Sequence, residues 1–223
     1  MNIIANIISD YPEKFGIPRQ SGMVRNISKI VFTPEYRIKD AVRGLEDFNY
    51  IWLIWDFSMA HTDKWSPLVR PPVLGGNERM GVFATRSPYR PNPIGISSVK
   101  LLQVVTEGPD APYLLVEGAD LMNGTPIFDI KPYINTDCHP DYTEGFNVQG
   151  RERWLQVEFP KELLQLIDGA KQAPLKELLA LDPRPSYQED PDRVYGVSYG
   201  GYNVKFQVDD SIKKLTVTAV EIL

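Results

Sequence analysis

The alternation of apolar and polar positions divides this chain into many short strands and few helices. Ile3–Ile8, Ile27–Phe32, Tyr50–Phe57, Met80–Thr85, Ile94–Val105 and Tyr113–Gly118 are runs of β-branched, aromatic and aliphatic residues. Turn residues separate them, which is the signature of strands. Tyr50 to Phe57 is apolar at nearly every position, so a central strand covered on both faces is expected there. Asn123-Gly124 marks a tight turn, and Pro126 opens a further strand that ends at Lys131-Pro132. In this region only Ala41–Asp47 reads as a helical turn. The pattern predicts a mainly β fold, a barrel or a sandwich.

The periodicity changes near Leu155. Pro160 precedes a short amphipathic stretch that closes at Asp168-Gly169, with proline near the start and glycine at the end, and Pro174–Leu181 repeats the arrangement. A polar, proline-rich loop runs from Asp182 to Asp192. Strands are expected at Val194–Tyr199, Asn203–Val208 and Leu215–Leu223. We therefore divide the chain into residues 1–153 and a small α+β unit, residues 154–223, with the boundary between 150 and 156.

Composition narrows the classes. The chain has 223 residues, 43% of them hydrophobic, enough to bury a core. Nineteen prolines and 16 glycines favour loops and strands over a helical bundle. A single cysteine, Cys138, excludes an internal disulfide and a thiolate zinc site, and two histidines exclude a histidine-rich metal centre. No stretch approaches the roughly 18 apolar residues of a membrane span, and Met1–Ile8 lacks the basic lead of a signal peptide. A soluble, cytoplasmic protein without a metal is expected.

The net charge of −5 argues against a nucleic-acid partner until its distribution is considered. Between Ser66 and Lys100 stand Arg70, Arg79, Arg86, Arg90 and Lys100 against Glu78 alone, a local balance of +4. Phosphate responds to the local field rather than to the sum.

Three stretches could carry chemistry. In Gly81–Gly95, Arg86, Ser87, Arg90 and Asn92 stand among three prolines. Proline stiffens such a loop and holds guanidinium groups ready for a carboxylate or phosphate. In Asp120–Tyr133, Asp120 and Asp129 could accept bonds from a ribose or an amine, and Lys131 could meet a phosphate. Between the first two strands, Arg19 and Gln20 could face an adenine edge. The plainer alternatives are a proline-braced surface loop, an ordinary hairpin and a simple connecting loop. There is no Ser-His-Asp order, HExxH, P-loop or GxGxxG.

Taken in order, Pro18-Arg19-Gln20, Arg70-Pro-Pro-Val-Leu-Gly-Gly76, Gly81-Val-Phe-Ala-Thr-Arg-Ser87, Arg90-Pro-Asn-Pro-Ile-Gly95 and Asp129-Ile-Lys-Pro-Tyr133 resemble the TsaA-like (YaeB/TrmO) proteins, a family of tRNA N6-methyltransferases. Asp182-Pro-Arg-Pro-Ser-Tyr187 and Tyr195-Gly196 resemble the C-terminal extension of its bacterial members. The resemblance implies a single-sheet β-barrel, usually dimeric. It implies methyl transfer from S-adenosyl-L-methionine to N6 of threonylcarbamoyladenosine beside the tRNA anticodon. For the cofactor it implies Pro18, Arg19, Gln20, His61, Thr62, Arg86, Ile96 and the turn Asp120, Leu121, Met122, Asn123 and Gly124. Asn123 stands where the family commonly has aspartate, so only its backbone contacts carry over. We assign Asn92 and Asp129 to the N6 proton and Arg70, Arg90, Lys131 and Tyr133 to the tRNA substrate, its anticodon stem-loop, with Arg86 and Arg90 each suited to either the threonyl or the methionyl carboxylate. The competing readings are a non-catalytic RNA-binding barrel, and a methyltransferase or hydrolase acting on another substrate.

Overall fold

The computed structural model describes residues 1–74, 78–146, 154–184 and 190–223. Six antiparallel strands close into a barrel. They are β1 (Ala5–Ile8), β2 (Ile27–Phe32), β3 (Tyr50–Asp56), β6 (Ile94–Val105), β7 (Tyr113–Glu117) and β8 (Pro126–Pro132), arranged β1-β2-β7-β6-β3-β8 with β8 pairing back on β1. Closure leaves no unpaired sheet edge.

The period of two explains the core. Ser28, Ile30 and Phe32 of β2, and Ile51, Leu53 and Trp55 of β3, point inward and are buried. The register Leu53↔Ser97 and Trp55↔Gly95 sets small residues of β6 opposite large ones of β3, as a narrow barrel requires. At Gly95 the fit is close: a Cβ there would lie 2.2 Å from Trp55 Cε2.

The outer face of β3 is only half covered, contrary to the expectation for Tyr50–Phe57. A barrel strand has one core face, and outside it Trp52 meets Tyr133 (ring centroids 5.4 Å apart) and donates from Nε1 to Asp137 Oδ2 at 2.8 Å. Met80–Thr85 is also not one strand. Met80–Gly81 forms β5, paired with β4 (Leu68–Val69), and the chain then turns through a 3-10 segment, Val82–Ala84.

In the C-terminal region, β10 (Tyr195–Tyr199), β11 (Tyr202–Asp209) and β12 (Lys214–Ile222) form an antiparallel sheet. It is extended by β9 (Gln156–Glu158), which runs parallel to β12. This three-residue strand has no readable period. Helix α1 (Lys161–Leu164) is one turn, and α2 (Gly169–Ala180) begins where a helix end was expected. The reason is Asp168, whose carboxylate accepts the Ala170 N–H at 2.9 Å and caps α2. Pro174 is buried inside that helix. A second core joins α2 to this sheet and also takes Tyr11 and Val24 from the segment between β1 and β2. Residues 150–153 of the expected boundary, and residues 185–189 of the proline-rich loop, lie outside the described residues. Among the described residues no helix is long and apolar enough to cross a membrane.

Candidate active site

A cleft of about 360 Å³ opens at one mouth of the barrel, where β3 ends and β6 begins. Five stretches of chain line it: 14 and 17–20, 55–60, 86 and 88–90, 94–96, and 120, 122 and 125. Trp55, Phe57, Ile94, Ile96 and Met122 make parts of its wall apolar. Its polar side chains are Lys14, Arg19, Gln20, Asp56, Ser58, Arg86, Tyr89, Arg90, Asp120 and Thr125.

Asp120 is the most constrained of these. Its Oδ1 accepts the Ser97 hydroxyl at 2.6 Å, and Ser97 Oγ in turn accepts Trp55 Nε1–H at 3.0 Å. Burial pushes the Asp120 carboxyl above the ordinary range. The bond from Ser97 and the charge of Arg86 work against that rise. Opposite, Arg86 donates from Nη1 to Gln20 Oε1. Arg90 is tied to its own loop, donating to the Thr85 carbonyl at 3.2 Å. Asp56 receives His61 Nε2 at 2.8 Å, so a half-buried carboxylate in the cleft is joined to an exposed imidazole.

The expected site residues thus separate into groups. Pro18, Arg19, Gln20, Arg86, Arg90, Ile96, Asp120 and Met122 meet in the cleft. Leu121 is fully buried and turns into the barrel core, leaving its carbonyl to accept the Ser9 hydroxyl at 2.8 Å. Asn123 uses its side-chain oxygen on the Ser9 N–H at 3.2 Å, and Gly124, at φ +82°, bonds its N–H to Ile7 O. His61 flanks the cleft through Asp56. Thr62 bonds the Lys64 carbonyl and is not part of the lining.

The remaining expected residues stand apart from the lining. Asn92 is exposed in the turn before β6, where its carbonyl accepts the Ile94 N–H. Asp129 faces outward on β8, bonded to Lys131 at 3.2 Å, and Tyr133 stacks beside Trp52. Arg70 is exposed beyond β4, and Gly75 and Gly76 of its motif lie outside the described residues, as do Pro185–Tyr187. Trp55 and Asp56, which line the cleft, and Ser97, which bonds Asp120, are not singled out by the sequence motifs. Asp56 had a readable signal, an acid closing an apolar strand. Ser97 had none, because only the register gives it Trp55 and Asp120 as partners. Among the described residues no His, Cys, Asp and Glu group could hold a metal ion.

Residues 6–138 match the tRNA-methyltransferase O N-terminal domain and residues 152–222 match its C-terminal domain. The tRNA (adenine(37)-N6)-methyltransferase of Escherichia coli K12 is 41% identical, across 93% of this chain and 92% of its own. A Pyrococcus abyssi protein named for S-adenosyl-L-methionine binding is 35% identical over 71% of this chain and 77% of its own. The crystal structure of TrmO from Pseudomonas aeruginosa superposes with a TM-score of 0.74 at 29% identity, covering 98% and 96% of the two chains. The chain belongs to the tRNA-methyltransferase O family.

Proposed function

We infer that the chain transfers a methyl group from S-adenosyl-L-methionine to N6 of the adenine at position 37 of tRNA, with threonylcarbamoyladenosine as the acceptor. The observation that carries this reading is convergence. Pro18–Gln20, Arg86, Ile96 and Asp120, far apart in sequence and each implicated by the family resemblance, line one cleft.

The lining fits the cofactor. A volume of about 360 Å³ lies within the range of small-molecule sites, roughly 300–1,000 Å³. The apolar wall suits a purine, the Asp120 carboxylate suits a cation or a ribose hydroxyl, and Arg86 suits a carboxylate. When bound, S-adenosyl-L-methionine supplies a methyl group on a sulfonium, so no enzyme nucleophile is needed. The chain's own part is alignment, which can supply much of the acceleration.

Asp56 and Asp120 are the carboxylates among the cleft's lining residues, and they join Asn92 and Asp129, which stand apart from that lining, as candidates for the N6 proton. Asp56 already has an outlet to solvent through His61. Arg70, Arg90, Lys131 and Tyr133 serve the RNA, which is larger than the cleft. The catalytic unit of residues 1–153, the appended unit of residues 154–223, a homodimeric assembly and a cytoplasmic location belong to the same reading.

The test is incubation with S-adenosyl-L-methionine and tRNA that carries threonylcarbamoyladenosine lacking the N6-methyl group, followed by mass spectrometry of the nucleosides. The methylated nucleoside is expected from the wild type and not from Arg86→Ala, whose melting should be unchanged because Arg86 is exposed. No new nucleoside with cofactor binding intact would discard this substrate. Loss of both would leave an RNA-binding barrel.

A further inference from the structure

The segment between β1 and β2, residues 9–26, faces two parts of the molecule. On one side lies the C-terminal unit. Tyr11 and Val24, each 1% exposed, are built into the second core. Gly16, at φ +85°, comes so near β10 that a Cβ would lie 2.4 Å from Val197 Cγ2. At Asp10 the contact is polar. Its carbonyl accepts the Gly200 N–H at 2.7 Å, while Lys171 Nζ, from α2, reaches the Gly200 carbonyl at 2.7 Å and the Asp10 carboxylate at 3.2 Å.

The other side of the same segment carries the cleft. The Ser9 hydroxyl donates to the Leu121 carbonyl at 2.8 Å, and the Tyr11 carbonyl accepts the Asn123 N–H at 2.8 Å. Pro18 and Gln20 are themselves part of the wall. Two walls of the cleft therefore hang on one strap, and the far side of that strap is fastened to α2 and to the turn between β10 and β11.

We propose that the C-terminal unit sets the cofactor affinity of the barrel through Asp10, Lys171 and Gly200, which act as positioning residues for the loops at 18–20 and 120–124. The proposal rests on the reading of the cleft as the methyl-donor site. Lys171 and Asp10 are 29% and 23% exposed, so their attraction is less screened than that of a surface pair. Removing the ammonium leaves the Asp10 carboxylate and the Gly200 carbonyl without their shared donor. The strap then samples arrangements in which the walls are displaced, and apparent affinity falls by the fraction of time spent there.

The experiment compares the full-length wild type with Lys171→Ala, Lys171→Arg and Gly200→Ala. Calorimetry reads the Kd for S-adenosyl-L-methionine, and amide hydrogen exchange reads Asn123 and Gly124. Gly200→Ala attacks the same junction from the other side, because a Cβ at φ +56° would lie 2.8 Å from Lys171 Cδ. For Lys171→Ala and Gly200→Ala we expect a Kd raised about fivefold to tenfold. Exchange at Asn123 and Gly124 should quicken in both while amides of β3 and β6 keep their rates, and Lys171→Arg should stay close to the wild type. If Lys171→Ala melts earlier yet retains the wild-type Kd and exchange rates, the unit only adds stability and the proposal fails. If the wild type takes up no S-adenosyl-L-methionine, the cofactor reading falls instead. Exchange at Asn123 and Gly124 then still decides whether Lys171 holds the strap.

Discussion

Replacing Ser97 by alanine removes one oxygen from the centre of the relay that joins Trp55 to Asp120. Ser97 is 2% exposed and Trp55 7%, so water does not readily take the hydroxyl's place. Two losses follow. The Trp55 Nε1–H loses its acceptor at 3.0 Å, and a buried donor left unpaired costs about 1–3 kcal/mol. Asp120 loses a donor at 2.6 Å, a bond to a charged group worth about 1.5–3 kcal/mol. Asp120 lines the open cleft, where water recovers part of the second loss. The expected destabilisation is therefore about 2–4 kcal/mol. In a chain of this length each kcal/mol lowers Tm by roughly 2–4 °C, so the midpoint should fall by about 5–15 °C. Urea unfolding gives the same quantity as a lowered midpoint with unchanged slope. A second effect is electrostatic: without the Ser97 bond the Asp120 carboxyl rises further, and cofactor affinity weakens at a higher pH than in the wild type. A loss below about 0.5 kcal/mol, with an unaltered pH profile of binding, would refute the relay.

Two further outcomes test the electrostatics. Burial raises the Asp120 pKa above its ordinary value of about 4. Its contribution to stability is then fully present below the unfolded pKa and is lost as pH rises through the folded one. Under the proposed function, in which the Asp120 carboxylate meets the cofactor's cation, binding has the opposite sense, because it requires the charged carboxylate. Asp120→Asn should flatten both slopes in that window, as melts and calorimetry at stepped pH would show; slopes that persist would place the titrating group elsewhere. In the C-terminal unit, Arg184 is 5% exposed and donates to Asp182 at 2.8 and 3.0 Å and to Asp210 at 2.7 Å. Arg184→Ala leaves the buried Asp182 carboxylate without its guanidinium and should cost about 3–5 kcal/mol, read as a lowered unfolding midpoint.

How much of this was legible in the sequence depended on the length over which a signal extends. The barrel strands were readable because each is an alternating or apolar run long enough to show its period; β2, with Ser28, Ile30 and Phe32 buried in alternation, is the clearest case. The strands β4 and β9 have two and three residues and carry no period. Asp168-Gly169 is ambiguous in the sequence for a different reason. Aspartate before glycine signals both a helix stop and a helix cap, and only the bond from Ala170 N–H to Asp168 decides for the cap.

The site divides along the same line. Loop segments such as 18–20 and 86–95 announce themselves by composition, proline and arginine crowded together, and the family resemblance rests on such stretches. Trp55, Ser97 and Asp120 do not, because their relation is created by strand register. Pairing Trp55 with Gly95 and Leu53 with Ser97 turns the serine hydroxyl inward, beneath the carboxylate. A slip of one residue would send that hydroxyl to the outer wall and bring Ile96 into the space that Gly95 leaves for the indole. The turn at 120–124 obeys the same dependence at longer range. Its N–H groups are held by Ile7 and Tyr11, and Tyr11 is held by a core that forms from α2 and the β10–β12 sheet. The strap that carries Pro18–Gln20 is thus tied to residues more than 150 positions downstream, Lys171 and Gly200, and no local reading of those loops can recover that contact.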